Sequence, residues 1–132
     1  MELEIKKALY CDWEFIRQLR NEYKQNFINQ QDITKQEHHD FMLEYGSHYY
    51  IAYFESKPVG FVGVKDNDIR FAVHSDYRGK SIGMHMLIYI KNKYPKSFGK
   101  VLNENIASNN SFKKAGFNLY GKYDKFTIWN VS

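Results

Sequence analysis

His74-Ser75-Asp76-Tyr77-Arg78-Gly79-Lys80-Ser81-Ile82-Gly83 is the stretch on which the reading of the chain turns. It follows the run Ile69-Arg70-Phe71-Ala72-Val73, a strand. It precedes Ile82 through Tyr94, where Met86, Leu87 and Ile90 recur at helical spacing until Pro95 ends the pattern. A strand therefore enters a helix through a loop that carries glycines and basic residues. The first N–H groups of a helix lack intrahelical partners, and the dipole there favours an anion by about 0.3–1 kcal/mol. Glycines let a pyrophosphate reach the backbone without meeting a Cβ, and Arg78 and Lys80 supply charge. The same residues read equally well as a tight turn flanked by solvated basic side chains. Two nucleotide loops fail on spacing. A Walker A motif needs a glycine five positions before Gly79, where His74 stands, and G-x-G-x-x-G finds only Gly79 and Gly83.

Working outward, Glu4–Leu9 reads as a first strand, and Asp12 as the N-cap of a helix over Trp13, Phe15, Ile16, Leu19 and Tyr23. Thr34 and Glu37 form a capping box for a second helix bearing His38, Phe41, Met42 and Tyr45, ended near Gly46. Tyr49–Phe54 and Val59–Val64 read as hairpin arms around a Ser56-Lys57-Pro58 turn, and Asp66-Asn67-Asp68 turns the chain into Ile69–Val73. Val101–Glu104 is a short strand and Ser108–Ala115 a short helix closed by Gly116. Phe117–Leu119 and Phe126–Trp129 complete the sheet. The order β-αα-βββ-α-β-α-ββ predicts a mixed α/β sheet with some parallel pairing, in a single domain over residues 1–132.

Composition narrows the function classes. The 132 residues are 43% hydrophobic and 26% charged, in the globular range, and no apolar run reaches the ~18 residues of a membrane-spanning helix. One cysteine, Cys11, excludes an internal disulfide and a cysteine-based zinc site, and favours a reduced, cytoplasmic setting. The net charge of +4 permits an anionic ligand, but the basic residues are spread along the chain without the stripe of a nucleic-acid binder. No metal, nucleic-acid or membrane partner is expected. A monomer and a homodimer stay equally open.

Arg78-x-x-Ser81-x-Gly83 resembles the R/Q-x-x-G-x-G/A coenzyme A loop of the GNAT superfamily of N-acetyltransferases. Asn105-x-x-Ser108-x-x-x-Phe112-x-x-Ala115-Gly116-Phe117 is similar to that family's N-x-x-A/S-x-x-x-Y-x-x-x-G-F segment. Both blocks stand in the family's order and separation, and the likeness spans essentially the whole chain. It implies a GNAT-like acyl-CoA N-acyltransferase fold whose sheet splays between Ile69–Val73 and Val101–Glu104. The pantetheine arm of acetyl-CoA would lie in that gap along Phe71, Ala72 and Val73, as an extra strand does. Its pyrophosphate would rest on Arg78, Gly79, Lys80, Ser81, Ile82 and Gly83, with Asn105, Ser108, Ser111 and Phe112 lining the rest. The Val73 N–H would stabilise the oxyanion formed when an amine attacks directly. Two positions depart from the family pattern. Ser81 brings a Cβ and a hydroxyl where glycine is usual, and Phe112 replaces a tyrosine that protonates the leaving thiolate, which a phenyl ring cannot do. Water, Ser111 or a nearby tyrosine would then supply that proton.

For the base, Asp68 stands where relatives carry an acid and could act through water, although it reads equally as a turn residue. His74, at the strand end, is a second candidate. Leu19-Arg20-Asn21 followed by Ile33-Thr34-x-x-Glu37-His38-x-x-Phe41 is similar to a pattern in acetyltransferases of nucleotide-linked amino sugars, of the pseudaminic-acid type. That likeness places Arg20, Asn21 and His38 on the acceptor side, and the aromatic cluster of Phe41, Tyr45, Tyr49 and Tyr50, which reads either as core or as a stacking surface for a sugar or base, adds Tyr49. The resulting expectation is an acetyl-CoA-dependent N-acetyltransferase acting on an amino group of a nucleotide-linked sugar. A protein N-terminal or small-amine acetyltransferase is the alternative acceptor class, and a non-catalytic acyl-CoA-binding module the alternative kind of protein.

Overall fold

Two tight hairpins organise the first half of the sheet. Glu55 and Ser56 both have positive φ (50° and 69°), as do Asp66 and Asn67 (51° and 68°), which is the two-residue turn whose twist matches paired strands. The first hairpin thus turns one residue earlier than Ser56-Lys57-Pro58 suggested, and Pro58 lies inside a strand. It is tolerated there because the register shifts between Ala52 and Tyr53, a bulge at which a missing N–H costs little.

The computed structural model describes residues 2–131, folded in the order β1 (Leu3–Lys7), α1 (Trp13–Glu22), α2 (Lys35–Tyr45), β2 (Tyr49–Phe54), β3 (Lys57–Lys65), β4 (Asp68–Val73), α3 (Ile82–Lys93), β5 (Phe98–Leu102), α4 (Ile106–Lys114), β6 (Asn118–Lys122) and β7 (Phe126–Asn130). This is the element order read from the sequence. Seven strands line up as β1-β2-β3-β4-β5-β7-β6, antiparallel throughout except at β4–β5. Side chains alternate between the faces. Tyr49, Ile51, Phe61 and Ala72 pack under Ile16, Leu19 and Met42 of α1 and α2. Tyr50, Val62, Val64 and Ile69 pack on the other face with Met86, Leu87 and Ile90 of α3 and Phe112 of α4. Among the described residues no helix is long and apolar enough to cross a membrane.

Several boundaries depart from expectation: β1 stops at Lys7, two residues before Leu9, and β6 runs on to Lys122, past Leu119. Asp12 does not cap α1 with its side chain. The chain already turns as a short 3₁₀ segment over Tyr10–Asp12, and the carboxylate reaches back to accept from the Leu9 N–H (2.8 Å) and the Tyr53 hydroxyl (3.2 Å). β5 spans Phe98–Leu102 and not Val101–Glu104, because Asn103 leaves the ladder: its amide donates to the Tyr123 carbonyl and its oxygen accepts from the Thr127 hydroxyl. α4 begins at Ile106, two residues before Ser108, with Asn105 as N-cap accepting from the Ser108 N–H at 3.2 Å. The capping box of α2 is formed as read: the Glu37 N–H donates to Thr34 and the Thr34 N–H to the Glu37 carboxylate.

Candidate active site: an opened sheet beside a helix N-terminus

β4 and β5 pair at one position, Asp68 opposite Phe98, reinforced by the Phe98 N–H donating to the Asn67 carbonyl at 2.8 Å. Beyond that point they part. The exposed backbone of β4 can be assigned from its other neighbour. The His74 N–H donates to the Val59 carbonyl, and the β3–β4 register runs unbroken from Gly60–Val73 to Lys65–Asp68. Antiparallel partners alternate between hydrogen-bonded and non-bonded pairs. Asp68, Arg70 and Ala72 therefore turn their N–H and C=O toward β3, whereas Ile69, Phe71 and Val73 present theirs to the gap. The Val73 carbonyl is partly engaged, by the Arg78 Nε at 3.4 Å.

At the wide end of the gap the chain forms a cradle. Gly79 (φ 81°) and Ser81 (φ 62°) are both left-handed, which bends the loop into α3 without a side-chain cap. Among the described residues no protein acceptor meets the backbone N–H groups from Gly79 through Met84; the next, of His85, donates to the Ser81 carbonyl at 3.1 Å. A run of unpaired N–H groups at a helix start, bent by left-handed residues, is a concavity for an anion. A coenzyme A pyrophosphate fits it by charge and by the open space around Gly79, where a Cβ would meet nothing. The Arg78 guanidinium lies over the Tyr23 ring, 4.6 Å from its centre, and the Tyr23 hydroxyl accepts from the Ser75 N–H at 2.8 Å.

Gap and cradle join in one cleft of about 810 Å³. It brings together most of the residues selected from the sequence: Asp68, Phe71, Ala72, Val73, Arg78, Gly79, Ser81, Ile82, Gly83, Asn105, Ser108, Ser111 and Phe112, with Arg20, His38 and Tyr49 toward α1 and α2. Three selected residues stand outside it. His74 is spent on a local turn, its Nδ1 accepting from the Asp76 N–H at 3.2 Å. Lys80 leans over the Phe54 ring at 5.7 Å. Asn21 clamps the loop after α1, donating to the Ile33 carbonyl (3.0 Å) and accepting from the Ile33 N–H (2.9 Å). Arg20 lines the cleft but its guanidinium donates to the carbonyls of Gln31 (2.5 Å) and Asn29. The Arg20-Asn21 pair is thus explained by loop anchoring.

Asp68 and Val73 occupy opposite ends of one strand. Five residues of extended chain span about 17 Å, too far for a single water to link them. Phe71, whose N–H also faces the gap, is only three residues from Asp68. Burial raises the Asp68 carboxyl above its ordinary range, and the nearby Arg70, Lys100 and Lys65 charges pull it part of the way back. Arg70 approaches it at 3.9 Å. Burial lowers His38 to about 4, helped by Arg17, so its imidazole is neutral at pH 7. Burial pushes the Tyr49 hydroxyl up to about 12, against the pull of Arg70. Phe112 is 1% exposed and its ring tip fills the space left by Gly99. The Ser111 hydroxyl donates to the Ala107 carbonyl at 3.0 Å.

Sequence reading missed Tyr23, Lys65 and Lys100, which also line the cleft. Lys65 had a usable signal: it shares the alternation of Phe61 and Gly63 and is the cross-strand partner of Asp68. Among the described residues no group of three or more His, Cys, Asp or Glu side chains is arranged to hold a metal.

The sequence pattern of the acetyltransferase (GNAT) family matches residues 13–117. The chain is similar to a solved domain from Methanocaldococcus jannaschii DSM 2661 at 21% identity and a TM-score of 0.79, over 97% of this chain and 96% of that one. It is similar to a GNAT superfamily phosphinothricin acetyltransferase from Sinorhizobium meliloti, solved in complex with AcCoA (14% identity, TM-score 0.80, 98% of this chain and 87% of that one). A third likeness is to a ribosomal L7/L12 alpha-N-protein acetyltransferase in complex with coenzyme A (15% identity, TM-score 0.75, 96% of this chain and 92% of that one). At these identities the structural likeness establishes the fold. No curated protein matches the sequence.

Proposed function

Since the chain belongs to the GNAT acetyltransferase family, we propose that it is an acetyl-CoA-dependent N-acetyltransferase whose acceptor is an amino group on a nucleotide-linked sugar. The observation that carries this reading is the gap between β4 and β5 opening beside the unpaired N–H groups of Gly79 through Met84. The residues that would hold the coenzyme follow from their placement. The pyrophosphate takes the N–H groups of the cradle, with Arg78 swinging from Val73 to reach it. The amide-bearing arm pairs with the outward backbone of Phe71 and Val73, as a strand would.

The chemistry is one displacement. The amine nitrogen bonds to the acetyl carbon, the carbon–sulfur bond breaks, and the amine loses a proton as the thiolate gains one. An N–H of β4 facing the gap stabilises the oxyanion. Phe71 suits this better than Val73, because only near Phe71 can the acetyl carbon lie within a water or two of Asp68. Its raised pKa makes Asp68 a stronger base than a solvated carboxylate. With Phe112 buried and lacking a hydroxyl, solvent entering the cleft delivers the proton to sulfur.

The nucleotide-linked amino sugar rests on the sequence likeness of Leu19–Asn21 and Ile33–Phe41, with the Arg20 and Asn21 side chains themselves spent on holding the loop, and on the half-buried Phe41 ring at the cleft wall. One observation favours a second reading: Phe112, buried and without a hydroxyl, together with Ser81 at a position where the family pattern has glycine, suits a module that binds acyl-CoA without turnover. Mixing the protein with acetyl-CoA and a panel of nucleotide-linked amino sugars, simple amines and peptides, and measuring free thiol, separates the readings. Thiol release greatest with the sugar nucleotides supports the proposal. Coenzyme binding without thiol release supports the binding module, and release greatest with peptides moves the acceptor to a protein N-terminus.

A further inference from the structure

We infer that the acceptor end of the cleft is an anion-selecting site, in which Lys65, Arg70 and Lys100 bind a phosphate or carboxylate of the acceptor while Asp68 receives its amine. The inference rests on the acetyltransferase reading above and names what that site selects. On this face of the sheet Lys65 stands directly opposite Asp68 across the β3–β4 ladder, and Arg70 is two residues along the same strand. Lys100, on β5 across the gap, also lines the cleft and acts on the Asp68 carboxyl. Three cations thus surround one carboxylate, and only Arg70 comes within 4 Å of it.

The remaining positive charge has no acidic partner. Among the described residues neither Lys65 nor Lys100 makes an ion pair; their ammonium groups lie over ring faces instead. Lys65 is 5.2 Å from the Tyr45 centroid and 5.7 Å from that of Phe41, and Lys100 is 4.2 Å from that of Phe126. Arg70 also lies over Phe41, at 5.6 Å. Three other acids lie nearby: Glu37 is committed to the Thr34 N–H in the α2 capping box, and Glu44 and Asp66 act on the Tyr45 hydroxyl beside Lys65 without forming an ion pair with it. Cations held against aromatic walls at the edge of a cleft raise the local potential and favour an anion from solution. The same field opposes a polyamine or a lysine-rich peptide, whose extra ammonium groups would meet three positive charges. The coenzyme's own phosphates are accounted for separately, because the cradle lies at the far end of β4, about 17 Å from Asp68.

The test uses matched probes: glucosamine, glucosamine 1-phosphate and spermidine, each with saturating acetyl-CoA and thiol release as readout. The phosphorylated amine should exceed glucosamine at least tenfold in kcat/KM, with spermidine slowest, and Arg70→Gln and Lys65→Gln should each pull the phosphorylated-to-neutral ratio toward one. A second readout needs no turnover. Uridine diphosphate titrated into protein already saturated with coenzyme A should bind, and Arg70→Gln should weaken that binding about tenfold. Equal rates for neutral and phosphorylated amines, or rates highest for spermidine, would overturn the anion site while leaving the acetyltransferase intact. Failure of uridine diphosphate to bind the coenzyme-saturated protein would overturn it also where no amine is turned over. Absence of thiol release with every amine, by contrast, removes the enzyme reading and leaves the binding measurement to decide the anion site.

Discussion

The ring of Phe112 ends in the space that Gly99 leaves empty on β5, so that an added Cβ at residue 99 would overlap the ring. Helix α4 is thereby keyed to the strand on the far side of the gap, with the Phe71 and Phe117 rings edge-on to Phe112 at 5.7 and 4.9 Å. The position that would carry a proton-donating tyrosine is a core position here.

Restoring that hydroxyl is therefore expected to fail. In Phe112→Tyr the oxygen on Cζ is driven against the Gly99 backbone, an overpacking expected to cost about 1–3 kcal/mol. Urea denaturation should show that loss, and thiol release from acetyl-CoA should not rise. Gly99→Ala should be destabilised to a similar extent. A Phe112→Tyr protein of undiminished stability and faster turnover would mean that the ring swings into the cleft.

Ser81 holds a left-handed backbone that costs a residue with a Cβ roughly 1 kcal/mol. Part of that gain on Ser81→Gly is offset by the greater freedom of glycine in the unfolded chain. The variant should be more stable by about 0.5 kcal/mol in denaturant and should bind acetyl-CoA about threefold more tightly by calorimetry, since a threefold change is only ~0.6 kcal/mol. Weaker binding by Ser81→Gly would assign the hydroxyl a contact with the phosphates.

Local patterns were legible in the sequence where one interaction decides a feature. The Thr34–Glu37 capping box, the α3 start after Ser81 and the strand alternation of Tyr49–Phe54 all stand as read, because each is set by residues within a few positions. Features set by the other side of a ladder were not. Pro58 reads as a turn residue and is tolerated in β3 by the bulge beside it, where Val59 is the extra residue facing Ala52 and Tyr53. Asn103 leaves β5 for partners some 20 residues away, at Tyr123 and Thr127. For the site, the proposed coenzyme loop was visible as a run of consecutive residues. The acceptor end draws on β3, β4, β5 and α2, so Lys65 and Lys100 become neighbours of Asp68 only once the sheet is assembled. Arg20 and Asn21 show the converse: a recognisable pair whose hydrogen bonds hold a loop.

That loop role has a measurable consequence. Asn21→Ala removes both hydrogen bonds to Ile33, expected to cost about 1–2 kcal/mol at roughly 1 kcal/mol each. Because the loop borders the acceptor half, KM for the amine should rise more than KM for acetyl-CoA. Equal changes in the two would remove the loop from acceptor binding.

His38 provides a pH signature. Its folded pKa of about 4 lies below the ordinary value of 6.5, so its contribution to stability is fully present above about pH 6.5 and is lost as pH falls toward 4. The drop in Tm between pH 7 and 4.5 should be smaller in His38→Gln than in the wild type. An identical drop in the two proteins would show that His38 takes up its proton without leaving the fold.

The β4–β5 gap and the cradle beside it are the proposed seat of the thioester. Titrating acetyl-CoA into isotopically labelled protein and following backbone amides by NMR tests this most directly. The amides of Phe71, Val73 and Gly79 through Met84 should shift together and saturate at one ligand per chain, with Asp68, Arg70 and Ala72, whose N–H groups face β3, moving less. Saturable binding that leaves Phe71, Val73 and the Gly79–Met84 amides in place, or no binding at millimolar ligand, would contradict it.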